Sequence, residues 1–370
     1  MDIRNALTIA AGIVGGLAAT RASADTNIYC ISAAMELSEA LSTISATRVD
    51  TNADEIRIRI GTYYAPLAGF AGAATTGHNL SILGGYVDAT CQERTFDASM
   101  TILDGNGTST VVTIDTASSD ANVAVSGLTF RNGKGVTSDS NGVGAGGLKV
   151  GDPGPIGTGG VLIDRNIFLA NEGVPLYFPN TSFAAGGLLA ATDGVYLIVR
   201  NNLFLGNISS NASAAFVFSN NPIDFSNNTV VGNIANDQSQ VPRSSVFHFT
   251  ITALRLTSNI FWANGGGENA VDFDFDGYAP DTVASAANDF ELVAGLPHST
   301  ISDRNVDPLF VGPTNMRLSS SSPLINIGTL APGPGGLSLV DLDGAPRVDS
   351  AAVDIGAYET SYIFVDGFGD

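Results

Sequence analysis

The chain has 370 residues and a formal net charge of -20, from 16 basic and 36 acidic side chains. A protein that binds nucleic acid needs a basic footprint, so this charge excludes nucleic acid as a partner. It also disfavours anionic lipid surfaces and anionic polysaccharides, unless cations bridge the two negative surfaces.

Residues 1–24 predict a cleaved signal peptide. Arg4 gives a positive start, an apolar run extends from Ala6 to Ala19, and Ala22-Ser-Ala24 offers a small-residue cleavage site. A short buried helix is the alternative interpretation. Because no later run reaches the roughly 18 apolar residues of a membrane span, we expect a secreted or cell-surface protein without a transmembrane segment in its mature chain.

Two cysteines, Cys30 and Cys91, are present in the chain. An oxidising compartment outside the cytoplasm would let them form a disulfide. Two buried free thiols are the alternative, and two thiols this far apart in sequence cannot form a metal site alone.

Apolar residues at helical spacing follow the first cysteine. They are Ala34, Leu37, Leu41 and Ile44. Alternating strands begin soon afterwards, the first from Ile56 to Ile60. Because the exposed end of a stack of strands invites aggregation, we expect the short amphipathic helix to cap that end.

A six-residue phrase recurs four times between Val161 and Asn264. Its first and sixth residues are always Asn, its third is large and apolar, and its fifth is Ala or Gly. The four copies are Asn166–Asn171, Asn202–Asn207, Asn228–Asn233 and Asn259–Asn264. An alternating strand precedes each copy, so the recurring unit is a strand followed by a tight polar turn. Asn suits such a bend because it tolerates the left-handed conformation.

This repeat predicts an all-β fold, a single right-handed parallel β-helix of about ten coils. Each strand would pair with its equivalent one coil above, at about 4.8 Å, so like residues would stack on like. The sixth residues of the phrase would then form an amide ladder at one corner: Asn171, Asn207, Asn233 and Asn264. A β-propeller and a β-sandwich are the alternatives, but propeller blades need roughly 40 to 50 residues each, and a sandwich gives no reason for the phrase.

The pattern changes after Phe310. Five prolines there exclude regular central strands: Pro308, Pro313, Pro323, Pro332 and Pro334. We therefore expect the β-helix and its cap to occupy residues 25–310. Residues 311–370 would form an irregular carboxy-terminal segment that folds against the open end of the coil.

Short motifs occur at both ends of the mature chain. They are Gly84–Tyr86 followed by Cys91, Leu103–Gly105, Asp307–Phe310, Ser322–Gly328, Asp341–Arg347 and Asp354–Glu359. Together these motifs resemble the choice-of-anchor Q proteins, a bacterial family of exported β-helices, and the last two are the most diagnostic. The resemblance implies a pectin-lyase-like β-helix outside the cytoplasm, and it carries no catalytic residues to transfer.

Three alternating acidic residues match the opening of a calcium-binding loop: Asp272, Asp274 and Asp276. The twelfth position is Val283, where an EF-hand requires Glu, so an EF-hand is excluded. In the alternative interpretation, Phe273 and Phe275 face inward and all three carboxylates face outward. Same-face residues on a straight strand lie about 6.6 Å apart, too far for three carboxylates to hold one ion. The sequence requires no cofactor and leaves weak calcium binding open.

Two columns of side chains occupy equivalent places in successive coils. Arg165, Arg200 and Arg255 form the first, which would suit a polyanion, although ion pairs with Asp164 or Asp224 are the alternative. The fourth residues of the phrase form an apolar outward column, Leu169, Leu205, Val231 and Trp262. That column predicts packing beneath a loop or the carboxy-terminal segment, or else a stripe that binds sugars or a partner.

Two function classes remain. The absence of nucleophile-elbow, phosphate-loop and lyase signatures, together with the few basic residues, favours a non-catalytic protein that presents a side face to extracellular polysaccharides or cell-surface proteins. The architecture and the Asp272–Asp276 cluster favour a calcium-assisted lyase or hydrolase of a uronate-containing polysaccharide. Lyases need a strong base and hydrolases need paired carboxylates, and the fold alone supplies neither activity.

Overall fold

The structure is a computed structural model. It describes residues 25–46, 52–135, 144–152, 156–173, 184–209, 212–235, 243–250, 253–266, 270–275, 283–295, 299–330, 333, 335–348 and 352–360. The predicted signal peptide at residues 1–24 lies outside these residues. Among the described residues, no helix combines the length and the apolar character needed to cross a membrane.

Parallel sheets wind the described chain into a β-helix, which confirms the predicted fold class. Sheet A contributes ten strands, in agreement with the expected number of coils. Its strands are β1 (Thr26–Ile31), β2 (Ala53–Arg59), β5 (Leu80–Tyr86), β8 (Val123–Ser126), β13 (Val161–Asp164), β18 (Leu197–Arg200), β22 (Ile223–Ser226), β26 (Leu254–Thr257), β30 (Val283–Ala286) and β33 (Ser299–Ile301). Sheet B contributes eight strands: β3 (Gly61–Tyr64), β6 (Thr101–Asp104), β9 (Thr129–Arg131), β14 (Ile167–Leu169), β19 (Leu203–Leu205), β23 (Thr229–Val231), β27 (Ile260–Trp262) and β31 (Asp289–Phe290).

The remaining sheets close each coil. Sheet C contains β4 (Phe70–Ala73), β7 (Val112–Asp115), β11 (Gly144–Ala145), β12 (Leu148–Val150), β16 (Ala184–Ala185), β17 (Leu188–Ala191), β21 (Ala212–Ser219), β25 (Arg243–Thr250) and β28 (Ala270–Val271). Sheet D contains β10 (Lys134–Gly135), β15 (Glu172–Gly173), β20 (Ile208–Ser209) and β24 (Ile234–Ala235). Two pairs stand apart: β29 (Phe273–Asp274) with β32 (Val293–Ala294), and the antiparallel hairpin β34 (Phe310–Gly312) with β35 (Asn315–Leu318).

Sheet B carries the middle of the repeated phrase. Its register places the third residues of the four copies in one column, and all four side chains are buried: Phe168, Phe204, Val230 and Phe261. The rings of Phe168 and Phe204 stack with centroids 4.7 Å apart, and Phe130 extends the stack from the coil before. Like residues therefore stack on like inside the coil, and the aromatic contacts add to the apolar burial.

The corners on both sides of sheet B depend on left-handed residues, but not on the asparagines that the sequence suggested. The residue before each ladder asparagine has positive φ, as at Ala170 (φ 51) and Gly206 (φ 63). The expectation that the sixth-position Asn itself takes the left-handed conformation is therefore wrong. The reason is geometric, because the bend precedes the Asn and turns its amide into the interior.

One helix caps the first coil, as predicted. It is α1 (Ala34–Ser45), and its buried face consists of Leu37, Ala40, Leu41 and Ile44. At its start the Glu36 carboxylate accepts the backbone N–H of Ser32 at 2.7 Å, which satisfies one of the unpaired donors next to the helix terminus. Leu41 lies so close to Gly72 in β4 that a side chain at position 72 would meet it at 3.0 Å. The helix thus seals the amino-terminal end of the core.

A disulfide joins Cys30 of β1 to Cys91, with their Cα atoms 5.7 Å apart. The predicted pairing is confirmed, and the described chain has no free cysteine. The bond closes a loop of 61 residues in sequence. It ties β1 and the adjoining helix α1 to the segment that follows β5. The disulfide stabilises the fold because it lowers the conformational entropy of the unfolded chain.

The described residues from 310 to 360, here called the strap, run along the side of the coil. Thr329 donates its backbone N–H to Ser258 Oγ at 3.0 Å, and Gly335 donates to Asp224 Oδ2 at 3.0 Å. Farther along, Ser338 Oγ lies 3.4 Å from Asp164 Oδ2. The strap therefore descends coil by coil, and the expectation that it folds against the open end is wrong. Prolines indicate that the chain leaves the coil, but they do not specify which surface it then covers.

Candidate functional site

The four predicted ladder residues lie one above another at the corner between sheets B and D. Asn171 donates from Nδ2 to Asn207 Oδ1 at 2.9 Å, and the same oxygen accepts the Asn171 backbone N–H at 3.0 Å. The steps from Asn207 to Asn233 and from Asn233 to Asn264 repeat both bonds. Each amide also reaches back to a buried carbonyl, as Asn207 does to Phe168 O at 2.9 Å. The corner thus satisfies its buried polar groups by stacking.

A second ladder lies at the other corner of sheet B, and the sequence interpretation missed it. Neighbouring amides join Nδ2 to Oδ1 at 2.9 to 3.2 Å along Asn166, Asn202, Asn228, Asn259 and Asn288. The signal was available, because the first residue of every phrase is Asn. That recurrence indicates that the chain bends at both ends of the phrase.

Both ladders end on a carboxylate. Asn264 Nδ2 donates to Asp272 Oδ1 at 2.7 Å, and the Asn288 backbone N–H donates to Asp303 Oδ1 at 2.9 Å. An amide in the last position would carry two N–H donors and need a further acceptor, whereas an ionised carboxylate only accepts. Each carboxylate therefore satisfies the final amide without adding a donor.

Asp272 is buried, although the strand interpretation of the acidic cluster placed it outward. The strand is interrupted at Asp272, between β28 and β29, so the alternation of a straight strand does not apply. Asp272 Oδ2 accepts the backbone N–H groups of Glu291 and Leu292 at 2.9 and 2.8 Å. Burial raises the pKa of Asp272 to about 6, against the lowering effect of these hydrogen bonds. Phe273 and Phe275 are buried, as that interpretation expected.

The three residues considered for calcium do not assemble into a described site. Asp272 already accepts three N–H donors, Asp274 is half-buried, and Asp276 lies outside the described residues. No group of three or more His, Cys, Asp and Glu among the described residues is placed to hold a metal ion. The donors around Asp272 compete with a cation for the same oxygens, so this carboxylate serves the ladder.

A second buried carboxyl lies in the last strand of sheet B. Asp289 is fully buried, and its Oδ1 accepts the Val306 backbone N–H at 3.0 Å. Its Oδ2 has no hydrogen-bond partner among the described residues. Burial raises the pKa of Asp289 to about 6, and the nearby charge of Asp272 adds to this effect. Asp289 therefore takes up a proton at a higher pH in the folded chain than in the unfolded chain.

The arginine column forms ion pairs beneath the strap, in agreement with the second of its two interpretations. Arg165 Nε and Arg200 Nε each lie 3.1 Å from an oxygen of Asp164, and Arg255 Nη1 lies 3.1 Å from Asp224. Burial raises the pKa of Asp164, but the two arginines outweigh this effect and hold that pKa below its usual value. Arg165 and Arg200 are buried, so neither offers an open track for a polyanion.

The outward apolar column packs against the strap. Leu205, Val231 and Trp262 share one cluster with strap residues, and Leu169 is half-buried. The buried strap residues in that cluster are Met316, Leu342, Ala357 and Tyr358, and Phe310 packs against them. The column therefore anchors the strap, which agrees with packing beneath the carboxy-terminal segment.

The two most diagnostic motifs meet in a buried charged network within the strap. Arg347 is fully buried, and its Nη2 donates to the carbonyls of Asp354 and Gly356 at 2.9 and 2.7 Å. Its Nε lies 3.2 Å from Glu359 Oε1, an ion pair without hydrogen-bond geometry. Asp341 Oδ2 accepts the Glu359 backbone N–H at 2.8 Å. Burial raises the pKa of Glu359 to about 8, against the lowering effect of Arg347.

Arginine and aromatic side chains alternate where the strap meets the early coils. Arg57 and Arg94 lie against the ring of Tyr86, with Cζ-to-centroid distances of 5.4 and 5.8 Å. Arg94 and Arg165 lie against the ring of Phe96, at 5.3 and 4.9 Å. Such contacts hold guanidinium groups by attraction to the ring faces.

Comparison with protein-family models and with curated proteins found no match to this chain. The resemblance to choice-of-anchor Q proteins therefore stays a prediction.

Proposed function

We propose that this chain is an exported, non-catalytic β-helical rod that presents a side face to extracellular glycans or cell-surface proteins. One observation carries the proposal. The carboxyls with the largest upward pKa shifts have their side chains enclosed within the fold and are bonded to backbone groups or ladder amides. Asp272, Asp289 and Glu359 are these residues.

Enzymes place such groups where a substrate can reach them. A glycoside hydrolase needs two carboxyls across an open cleft, and a lyase needs a base beside its substrate. In this chain the Glu359 side chain is 3% exposed and Asp289 is fully buried. Raised pKa values are also produced by structural burial, and burial is the first cause for each of these three groups.

Placement in the choice-of-anchor Q family and outside the cytoplasm is part of the same proposal. The Asp341–Arg347 and Asp354–Glu359 segments form one network, which gives a structural reason for both to occur in one chain. The disulfide supports an oxidising compartment. A calcium-assisted lyase or hydrolase of a uronate-containing polysaccharide is the competing proposal, supported by the β-helix and by Asp274 outside the ladder.

Incubation with pectin, alginate and neutral glycans, with and without calcium, separates the two proposals. We expect retention of the protein on a glycan or on cells, without new unsaturated or reducing ends. Turnover that disappears in Asp274→Ala, but persists in the exposed control Asp115→Ala, would establish an enzyme instead. Binding that survives both substitutions supports the non-catalytic rod.

A further inference from the structure

The first strand of the β-helix, β1, has one unpaired edge. It is the terminal strand of sheet A and pairs with β2 along its whole length. No strand pairs with its other edge in the described part of the chain. Ile28, in the middle of β1, is 48% exposed. A sheet edge that is neither paired nor covered offers its backbone groups to another chain.

The register of the ladder identifies which backbone groups are free. Asp54 of β2 lies opposite Asn27 of β1, and the Asp54 N–H donates at 2.8 Å to Asn79 O, on the side of β5. In a parallel ladder only one residue of each opposite pair bonds across that pair. Asn27 therefore bonds to β2. The alternate residues of β1 direct their N–H and C=O groups to the free edge: Thr26, Ile28 and Cys30.

The helix α1 lies beside this edge and forms a groove with it, here called the end groove. The chain enters α1 soon after β1, and the helix then packs against β4 of sheet C. The groove has a volume of about 380 Å³. Tyr29 and Ile31 of β1 line one side, and Glu36, Glu39 and Ala40 of α1 line the other. The end groove is thus bounded by a strand edge and a helix.

Sheet A indicates where an added strand would lie. Tyr29 and Ile31 of β1 are in register with Ile56 and Ile58 of β2, whose side chains are fully buried in the core. A further strand would lie about 4.8 Å beyond β1, and its inward side chains would continue this column. Because Tyr29 and Ile31 line the end groove, those side chains would enter it. Peptides that add to a strand edge bind in this way, through main-chain hydrogen bonds and pockets for alternate side chains.

The end groove carries negative charge. Glu39 is exposed, and the Glu36 carboxylate accepts a backbone N–H before the helix at 2.7 Å, which lowers the pKa of Glu36. No Lys or Arg is among the described residues that line the groove. Between residues 25 and 64, the basic residues of the described chain are Arg57 and Arg59 of β2, and Arg57 pairs with Glu55. The two glutamates therefore set the charge of the lining.

Charge selects among the possible occupants. A second copy of this chain carries the same acidic groove and the same formal net charge of -20, and like charges oppose association. A segment that carries Lys or Arg is attracted instead. Its main chain is able to pair with β1 at the same time.

We propose that the end groove binds an extended, basic peptide segment of another protein, which pairs with the free edge of β1 as an additional strand. The backbone groups of Thr26, Ile28 and Cys30 supply the main-chain hydrogen bonds, and Glu36 and Glu39 attract the basic side chains. The inference goes beyond the proposed function, because it concerns the amino-terminal end of the rod and not its side face.

Fluorescence anisotropy with three short labelled peptides of equal length tests the proposal. The first alternates Lys and Val, the second alternates Glu and Val, and the third repeats the first with every backbone nitrogen methylated. We expect the lysine peptide to bind at least about tenfold more tightly than either of the others at low ionic strength. The glutamate peptide is repelled by the groove, and the methylated peptide keeps its charge but has no backbone donor.

Hydrogen exchange locates the bound peptide. The amides of Ile28 and Cys30 should exchange at least about tenfold more slowly when the lysine peptide is bound, because they gain hydrogen bonds. The amides of Asn27 and Tyr29, which already bond to β2, should change little. This alternation distinguishes an added strand from a peptide that is held by charge alone.

Charge reversal provides a matched pair of variants. Glu39→Lys places a cation in the end groove and should weaken binding of the lysine peptide at least about fivefold. Glu172→Lys is the control, because Glu172 is also exposed and lies in a later coil, where it pairs with Lys134. Its affinity should stay within about twofold of the wild type. Both substitutions are at exposed positions, so both variants should fold.

Equal affinity for the lysine and glutamate peptides would overturn the inference, and so would unchanged binding in Glu39→Lys. Tight binding of the methylated peptide, or unchanged exchange at Ile28 and Cys30, would show that β1 gains no strand and would also overturn it. Self-association of the protein that the lysine peptide reverses would replace the basic partner by a second copy. Glycan and cell binding test the side face separately, so the two proposals fail independently.

Discussion

The two corners of sheet B and the strap satisfy buried polar groups in opposite ways. At the corners, neutral amides stack in register, and each Asn bonds to the equivalent Asn of the next coil. In the strap, a fully buried Arg347 faces Glu359, Asp341 and Asp354, and no part of the arrangement repeats. A repeated contact between neutral amides buries no charge. A buried cation, in contrast, destabilises the fold when any one of its anionic or hydrogen-bonding partners is removed.

The ladder can therefore extend the rod by further coils, whereas the strap network fastens one segment to it. The ladder can add coils because every step presents the acceptor needed by the preceding step, until Asp272 or Asp303 ends the series. The strap network occurs once and fixes one segment in one place. Disruption of the strap network at a single residue should therefore lower the free energy of unfolding strongly. Disruption of any one ladder step should lower it by a smaller amount.

The largest expected effect is at Arg347. Arg347→Ala leaves Glu359 and Asp341 buried without their cation, so we expect a loss of about 3 to 5 kcal/mol in the free energy of unfolding. Urea unfolding measures it. Arg317→Ala removes an exposed ion pair with Asp343 and should lose no more than about 1 kcal/mol. Similar losses in both variants would show that burial does not distinguish the strap network.

A single ladder step should matter less. Asn207→Ala removes the acceptor of Asn171 and the donor to Asn233, and we expect a loss of about 1 to 3 kcal/mol because buried polar groups are left unpaired. Asn305→Ala is the control, since Asn305 is exposed and donates to Glu291 O. Its effect should lie within about 0.5 kcal/mol. Equal effects at both positions would argue against the ladder as a stabilising unit.

Stability should fall as pH rises through the range in which the buried carboxyls ionise. The pKa of Asp289 is raised from 3.8 to about 6, so its stabilising contribution is full below about pH 4 and is lost as pH rises through 6. Glu359 acts in the same direction up to about pH 8. Asp289→Asn should flatten the curve between pH 4 and 6 by about 1 to 2 kcal/mol. An unchanged slope in that variant would mean that Asp289 is not the titrating group.

The smallest expected effect concerns the bend before each ladder residue. Ala170 has φ 51, where Gly206 and Gly232 occupy equivalent places in the next coils. Ala170→Gly should raise the free energy of unfolding by no more than about 1 kcal/mol, because relief of left-handed strain exceeds the entropy that Gly loses. Gly206→Ala should lower it by a similar amount. Thermal melts compare the two, and a destabilised Ala170→Gly or a stabilised Gly206→Ala would contradict the assigned bend.

The repeat made the coil predictable, since each phrase must stack on its neighbours and Asn171, Asn207, Asn233 and Asn264 therefore share one environment. The strap did not repeat, so no internal comparison indicated that Arg347 would be buried or that it would meet Glu359. Asp272 was misplaced because alternation assumes a continuous strand. A break of one residue there turned its carboxylate inward, and sequence periodicity carries no signal for such a break.

The central claim is that the carboxyls with raised pKa values have a structural role and perform no chemistry. Glycan turnover by Asp289→Asn/Glu359→Gln, measured beside the wild type, tests it most directly. We expect both proteins to bind the same glycan without producing unsaturated or reducing ends near pH 7. Asp289→Asn alone should also unfold with equal or higher free energy near pH 7, because its amide carries no charge to bury. Turnover by the wild type that disappears in this variant, with the fold intact, would contradict the account.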